Sequence, residues 1–113
     1  MALYYSLPVY RDTYRLILLL FKLTREFPRE YKYTLGQDIK HDTMRLVRHI
    51  YRANKGEGRQ EHLECFTDDF ELVKLQIRLC QDLRLVSPKQ FSQVVLLMDS
   101  IGKQISGWNR SSR

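Results

Sequence analysis

The sequence contains few of the features that mark a membrane protein or a disulfide-bonded domain. Its longest apolar run, Leu16 to Phe21, is far shorter than the roughly 20 residues needed to cross a bilayer. No small-residue cleavage site follows that run, so we expect a cytoplasmic protein with no membrane partner. The two cysteines, Cys65 and Cys80, would lie about 22 Å apart on one helix, which is too far for a disulfide. We expect both to be buried thiols in a reducing compartment.

Patterns typical of enzymes and metal sites are also absent from the sequence. It has no Cys-x-x-Cys, Walker or Gly-x-Ser-x-Gly motif. The nearest approach to a di-iron bundle motif is Asp38-x-x-His41, which occurs once where two copies are needed. His49 and His62 have no other ligand at a suitable spacing. We therefore expect no catalytic residue, no metal and no cofactor, and we expect each histidine at the surface or in a row of cations.

Positive charge is in excess. The chain has 19 Lys and Arg residues against 13 Asp and Glu, and its pI is about 9.5. Such an excess favours nucleic acid, an anionic membrane surface or an acidic protein as the partner. A chain of 113 residues is long enough for one domain with a real core and too short for a catalytic domain with a lid. We expect a single domain over residues 1–113.

Helical periodicity and capping signals divide the chain into four predicted helices, and no strand pattern appears. Pro8 suits the first position of a helix. Thr34 and Gln37 form a capping-box pattern before the second helix, and Ser87 and Gln90 form one before the fourth. The predicted helices cover about residues 8–26, 34–55, 59–85 and 88–107. Because the connections are short, the predicted fold is an all-α, antiparallel up-and-down four-helix bundle.

The second predicted helix separates its residues onto two faces. One face is the predicted core stripe of Leu35, Ile39, Thr43, Leu46, Ile50 and Ala53. The other is a series of cations one turn apart, here called the long basic row: His41, Arg45, Arg48, Arg52 and Lys55. Like charges at this spacing repel by a few tenths of a kcal/mol per pair. The long basic row is therefore either a solvated face or a surface that lies against something anionic.

A second row of cations lies on the first predicted helix, opposite its core stripe. This short basic row consists of Arg11, Arg15, Lys22 and Arg25. If the two helices are neighbours, the two rows together form a broad positive surface, extended by the loop that holds Arg29, Tyr31, Lys32 and Tyr33. Phosphates suit the cations of such a surface, and unpaired bases stack on tyrosines. Since no helix-turn-helix pattern occurs, we expect weak sequence specificity, and the alternative is that both rows are only solvated.

Two predicted helices carry more apolar surface than a lone bundle needs. The first has an aromatic stripe beside its core face, formed by Tyr10, Tyr14, Ile17 and Phe21. The third has a leucine stripe beside its core face, formed by Leu72, Leu75, Leu79 and Leu83. A monomer would expose both stripes, which is unusual, although a wide core face on a central helix is the alternative. We expect a homo-oligomer whose subunit interface includes Tyr10, Tyr14, Phe21, Leu72, Leu75 and Leu79.

Short motifs resemble a known group of bacterial four-helix bundles. Tyr33-Thr-Leu-Gly-Gln37, preceded by Phe27-Pro28, resembles the family first noted in intervening sequences of large-subunit ribosomal RNA genes. That family typically continues with a segment like Ser-Ile-Pro-Ala-Asn-Ile-Ala-Glu-Gly, where this chain has Arg48-His-Ile-Tyr-Arg-Ala-Asn-Lys55. This segment, and Ile101-Gly-Lys-Gln-Ile-Ser-Gly-Trp108, are more similar to the accessory variability determinant (Avd) proteins of diversity-generating retroelements.

The resemblance implies an assembly and a role. Avd proteins are four-helix bundles that form a homopentameric barrel with a basic surface, in bacteria or in phages of a bacterial host. They bind the retroelement's reverse transcriptase and nucleic acid, including template RNA. DNA is a second candidate partner for this chain. They support mutagenic reverse transcription and retrohoming and have no catalytic activity. On this basis we expect both basic rows to contact nucleic acid or the reverse transcriptase. The alternative is an oligomeric protein-interaction scaffold that does not bind nucleic acid.

Overall fold

Four long helices account for most of the chain. The computed structural model describes residues 3–112, and its long helices are α1 (Pro8–Arg25), α3 (Leu35–Asn54), α4 (Arg59–Asp82) and α5 (Pro88–Ser111). A 3-10 turn at Tyr4–Ser6 precedes α1, and a single-turn helix, α2 (Arg29–Lys32), lies between α1 and α3. Residues 3–112 contain no strand, so the prediction of an all-α fold with four helices is confirmed.

The two predicted capping boxes have different outcomes. At the start of α5 the box forms, because Ser87 Oγ accepts from the Gln90 backbone N–H at 3.1 Å and Gln90 Oε1 accepts from the Ser87 N–H at 2.8 Å. The box predicted at Thr34 is wrong. Its hydroxyl donates instead to the Glu30 carbonyl at 3.0 Å, since α2 places an unused helical carbonyl one turn before it.

The ends of α4 and α5 differ from the predicted positions. Helix α4 ends at Asp82, three residues early, because Arg84 adopts a left-handed φ of 60°. The Leu85 N–H then bonds to the Cys80 carbonyl at 2.8 Å and the Arg84 N–H to the Gln81 carbonyl at 3.0 Å. This is a Schellman ending with arginine where glycine is usual. Helix α5 continues to Ser111 because no helix-breaking residue follows the predicted end at 107.

Contacts between the long helices show that neighbours run antiparallel. Along α3 and α4, Asp42 meets Gln76 and His49 meets Asp69, so positions rise on one helix as they fall on the other. The other three seams follow the same rule. Phe21 of α1 meets Lys40 of α3, while Tyr4, in the turn before α1, meets Tyr51. Asp12 of α1 meets Gln104 of α5, while Phe27, just after α1, lies near Phe91. Phe70 of α4 lies against Gly102 of α5, and Arg59 lies against Trp108. Helices α1 and α4 therefore lie diagonally across the bundle.

One continuous apolar core fills the space between the four helices. Fully buried side chains come from every long helix, including Leu16, Leu46, Phe66 and Ile101. The predicted core stripe of the second helix is buried from Ile39 to Ala53, while Leu35 is half-buried at the edge of the core. Burying such side chains stabilises the fold by roughly 1.5–3 kcal/mol each relative to leaving them exposed.

The prediction for the cysteines is right for one thiol and wrong for the other. Cys80 is buried, and its burial raises the pKa of the thiol to about 11, so the group is protonated and unreactive at neutral pH. Cys65 is exposed, because its position on α4 falls outside the buried line of Leu63, Phe66 and Phe70. Within residues 3–112, no helix is both long and apolar enough to cross a membrane.

The ending of α4 gives a prediction about stability. Replacing Arg84 by glycine should raise the free energy of unfolding by about 1 kcal/mol, because glycine adopts a left-handed conformation without the steric cost that arginine meets. Urea denaturation of the two proteins measures the difference. Arg84→Ala is the matched control, since it removes the same side chain but keeps the Cβ. An equal gain in both variants would contradict the assignment of strain to this position.

Candidate nucleic-acid interface

The long basic row lies on the outer surface of α3. All five of its side chains are exposed, and the line from His41 to Lys55 is about 21 Å long at the standard helical rise. Within residues 3–112, Arg48 and Arg52 have no acidic partner. Arg45 Nε lies 3.8 Å from Asp69 Oδ2, a loose ion pair of the kind that stabilises little. His41 Nδ1 also lies 3.4 Å from Asp42 Oδ1, so Arg48, Arg52 and Lys55 are the three members of the row without an acidic partner among the described residues.

His49 was predicted at the surface or among the cations, and this prediction is wrong. The side chain is 8% exposed and lies between α3 and α4. Its Nε2 is 2.6 Å from Asp69 Oδ2, and its Nδ1 is buried with no hydrogen-bond partner within the described residues. Sequence spacing alone could not find this pair, since the two residues are 20 positions apart and meet only through helix packing.

The link at His49 is one of two that fix the orientation of the long basic row. The second lies two turns earlier, where Gln76 Nε2 donates to Asp42 Oδ2 at 2.7 Å. Both carboxylates therefore face the seam between α3 and α4. Because the core stripe and these two links settle which side of α3 faces inward, the cations at Arg48 and Arg52 must face outward.

The short basic row lies on the outer surface of α1, and all four of its side chains are exposed. Arg15 Nη1 lies 3.2 Å from Asp12 Oδ1, while Arg11 and Lys22 have no acidic partner within the described residues. The seam between α1 and α3 separates the two rows. That seam holds exposed or half-buried apolar groups, among them Tyr10, Phe21 and Tyr51. The two rows thus face solvent as separate bands with an aromatic strip between them.

Five tyrosines form a cluster at one end of that seam. The Tyr4 ring lies at its centre, with centroids 5.3 Å from Tyr5, 5.5 Å from Tyr10 and 5.1 Å from Tyr51, all edge-to-face. Tyr14 stacks on Tyr10 at 6.3 Å. Sequence spacing alone does not predict this cluster, because it depends on the antiparallel pairing of α1 with α3.

Cations of the long basic row lie beside exposed tyrosine rings. The Lys55 ammonium is 4.5 Å from the centroid of Tyr51, whose ring is partly open to solvent. Of the two loop tyrosines expected to stack on bases, Tyr33 is 65% exposed, whereas Tyr31 packs against the core. An aromatic ring next to a cation can hold a base and its phosphate together. Tyr51 is the side chain best placed to do so, while Tyr33 offers an exposed ring.

A basic depression lies where α1, α2 and α3 meet. It has a volume of about 330 Å³ and is lined by Lys22, Arg25, Lys32 and Lys40 together with Leu18 and Phe21. The Lys40 ammonium lies 5.5 Å from the centroid of the Phe21 ring. Lys40 belongs to neither predicted row, so the sequence pattern did not indicate it. The depression combines an apolar floor with a cationic rim.

The two predicted apolar stripes remain largely outside the core. Every member of the leucine stripe is exposed, Leu75 by 55%. In the aromatic stripe, Tyr14 and Phe21 are exposed, while Tyr10 and Ile17 are half-buried. Beside the leucine stripe, a groove of about 440 Å³ between α4 and α5 is lined by Leu75, Ile77, Phe91, Val95 and Met98 together with four charged residues.

The described part of the chain offers no cluster of metal ligands. No three His, Cys, Asp or Glu side chains within residues 3–112 are placed to hold one ion. The half-buried and exposed carboxylates instead bond to neighbouring helices or face solvent. What the surface does offer is a line of cations on α3 beside exposed aromatic rings.

A comparison with known protein families identifies the family of this chain. The family model described as bAvd-like matches residues 9–112, from the start of α1 to the end of α5. The chain belongs to the bAvd-like family. The match confirms the resemblance to Avd proteins that the segments Arg48–Lys55 and Ile101–Trp108 indicated. No curated protein matches this bAvd-like chain.

The buried pair on α3 and α4 gives a second prediction. His49→Ala should lower the free energy of unfolding by about 2 kcal/mol, because it leaves a cavity and removes the short hydrogen bond to Asp69. His41→Ala is the matched control: it removes an exposed histidine of the same helix and should cost under about 0.5 kcal/mol. Chemical denaturation compares the two variants. Equal losses would contradict the structural role assigned to His49.

Proposed function

We propose that this member of the bAvd-like family is a non-catalytic accessory protein of a diversity-generating retroelement. In this role it binds the reverse transcriptase and template RNA, and so supports mutagenic reverse transcription and retrohoming. The observation that carries the proposal is the long basic row, a line of exposed cations on a bundle of this family. Nucleic acid is the partner that suits such a line best, because its phosphates repeat at regular intervals.

The chemistry of the long basic row supports contact with backbone rather than with bases. Arg48 and Arg52 are free to meet phosphate oxygens, since neither is neutralised within the described residues. The row lies along one helix, and among residues 3–112 nothing beside it has the shape of an element that enters a groove. Exposed rings at Tyr33 and Tyr51 would add stacking on unpaired bases, which tolerates any sequence. The proposed binding is therefore to single-stranded nucleic acid, with weak sequence preference.

Assembly is the second part of the proposal. One copy exposes the leucine stripe on α4 and much of the aromatic stripe on α1, and contact between copies would cover both. We propose a homopentameric barrel, the assembly that its resemblance to Avd proteins implies. Repeating the long basic row around a ring lets modest phosphate contacts add up to useful avidity. The reverse transcriptase is proposed to bind on the same side as the row, so that both proteins would contact the template RNA.

A different observation favours the alternative of a protein-interaction scaffold. The basic depression places Leu18 and Phe21 beneath the rim of Lys22, Arg25, Lys32 and Lys40. An apolar floor with a cationic rim fits a protein surface that combines apolar and acidic side chains. In this alternative the positive charge serves protein partners alone, and the long basic row is only solvated.

Removing two charges from the long basic row distinguishes the proposals. The variant Arg48→Ala with Arg52→Ala should weaken binding to single-stranded RNA and make the plot of log affinity against log salt shallower, by about 1.4 units. The expected cause is the loss of two phosphate contacts and of the counterions they release. The measurement is fluorescence anisotropy at several salt concentrations.

The matched control removes two exposed lysines from α5, Lys89→Ala with Lys103→Ala. It changes the net charge by the same amount but should leave the slope nearly unchanged, because α5 lies on the opposite side of the bundle from α3. Equal slopes in all three proteins would contradict nucleic-acid binding by the row. If binding to the reverse transcriptase fell at the same time, the scaffold alternative would be favoured.

A further inference from the structure

The outer surfaces of α1 and α4 carry opposite charge. Helix α1 has four basic residues and one acidic residue, and that acid, Asp12, faces α5 and accepts from Ser100 and Gln104. Helix α4 has six acidic residues and three basic ones. Five of those acids are exposed: Glu61, Glu64, Asp68, Glu71 and Asp82. Each surface also carries exposed apolar side chains, Leu18 and Phe21 on α1 and the leucine stripe on α4.

These two surfaces point away from each other. Helices α1 and α4 occupy diagonal positions, with α3 on one side and α5 on the other. A two-fold contact of α1 with its own copy would bring the short basic row against itself, which like charges oppose. A contact of α1 with α4 of another copy brings opposite charges and two apolar patches together. Charge therefore favours a head-to-tail contact, which leaves a free α1 at one end and a free α4 at the other and closes into a ring when the rotation between successive copies allows it.

Contacts inside the bundle fix which positions of α1 and α4 lie at the same height. One route passes through α3. Phe21 of α1 meets Lys40 of α3, and Asp42, two residues later on α3, meets Gln76 of α4. Since α3 and α4 are antiparallel, moving back two residues on α3 moves forward two on α4, so Lys40 and Phe21 are level with position 78. Around the other side, Asp12 bonds to Ser100 and Gln104, and between these Gly102 lies against Phe70 of α4. Both routes place a residue of α1 level with the residue 57 or 58 positions later on α4.

An offset of 57 brings complementary side chains to the same height. It matches Arg11 with Asp68, Leu18 with Leu75 and Arg25 with Asp82. All six side chains are exposed, so none must leave the core to make a contact. Charged pairs lie at the two ends and an apolar pair lies in the middle, as in an interface with an apolar centre and a polar rim.

We propose that α1 of one copy packs lengthwise against α4 of the next, parallel and without axial shift, so that Arg11 meets Asp68, Leu18 meets Leu75 and Arg25 meets Asp82. The inference rests on the proposed homo-oligomer and identifies its contact faces. The basic depression, with Leu18 and Phe21 in its floor, receives Leu75 and Leu79 of the neighbouring copy. The short basic row is then a subunit contact, and nucleic-acid binding belongs to the long basic row on α3, which lies between the two contact faces.

A charge exchange tests the pairing. Arg11 and Asp68 have no ion-pair partner in their own chain within the described residues, so changing them disturbs little else. Arg11→Asp and Asp68→Arg should each raise the dissociation constant between copies about tenfold, since each replaces an attraction by a repulsion. The chain with both changes should return to within about threefold of the wild type. Analytical ultracentrifugation measures the constants.

An apolar pair tests the centre of the contact. Leu18→Glu and Leu75→Glu should each dissociate the assembly at micromolar concentration and leave the helical circular dichroism intact, because both leucines are exposed in the single copy. Leu96→Glu is the matched control. Leu96 is 70% exposed on α5, outside both faces, and its replacement should leave the assembly unchanged.

The outcomes separate this pairing from the proposed assembly. A wild-type chain that is monomeric at micromolar concentration overturns both. An assembled wild type whose dissociation constant does not change in Arg11→Asp and Asp68→Arg overturns the pairing and leaves the assembly standing. The pairing also fails if both single variants weaken the assembly and the double variant does not restore it, or if Leu96→Glu disrupts it as much as Leu75→Glu does.

Discussion

Burial of one apolar stripe on each of four helices is the constraint on which the rest of the structure depends. Leu16, Leu46, Phe66 and Ile101 are fully buried, each on a different helix. Because a helix has 3.6 residues per turn, the stripe that it buries also determines which of its residues face solvent. The cations of α3, the acids of α4 and the exposed leucines are therefore placed on the surface by the same packing that stabilises the fold.

Three carboxylates fix the position of each helix along the axis of one neighbour. Asp12 links α1 to α5, while Asp42 and Asp69 link α3 to α4, each by accepting from a side chain of the neighbouring helix. Apolar contacts alone would tolerate a shift of one helix along another, whereas a half-buried carboxylate that loses its donors costs about 1–3 kcal/mol. The relative height of α1 and α4 follows from these links together with the contacts of Phe21 with Lys40 and of Phe70 with Gly102, and an assembly that repeats the bundle would inherit it.

The sequence predicted the features that depend on local pattern. The four helices, the buried line on the second one and the capping box at Ser87 all follow from neighbours a few positions apart. It missed features that depend on where distant segments meet. His49 is buried because Asp69 of another helix faces it. The hydroxyl of Thr34 donates to the Glu30 carbonyl of α2, a short helix that no periodic pattern predicts. The tyrosine cluster and the position of Lys40 also require the antiparallel pairing of α1 with α3, so the candidate surface could be placed on α3 but not outlined in full.

Our proposal places nucleic acid on the outer face of α3. Ultraviolet crosslinking of the wild-type protein to single-stranded RNA, followed by mass spectrometry of the digested peptides, tests this placement. We expect crosslinks at Tyr51, which lies beside the Lys55 ammonium, at the exposed ring of Tyr33 and at the arginines between them, because exposed rings stack on bases at close range. Crosslinks confined to α5, or to the acidic face of α4, would contradict it.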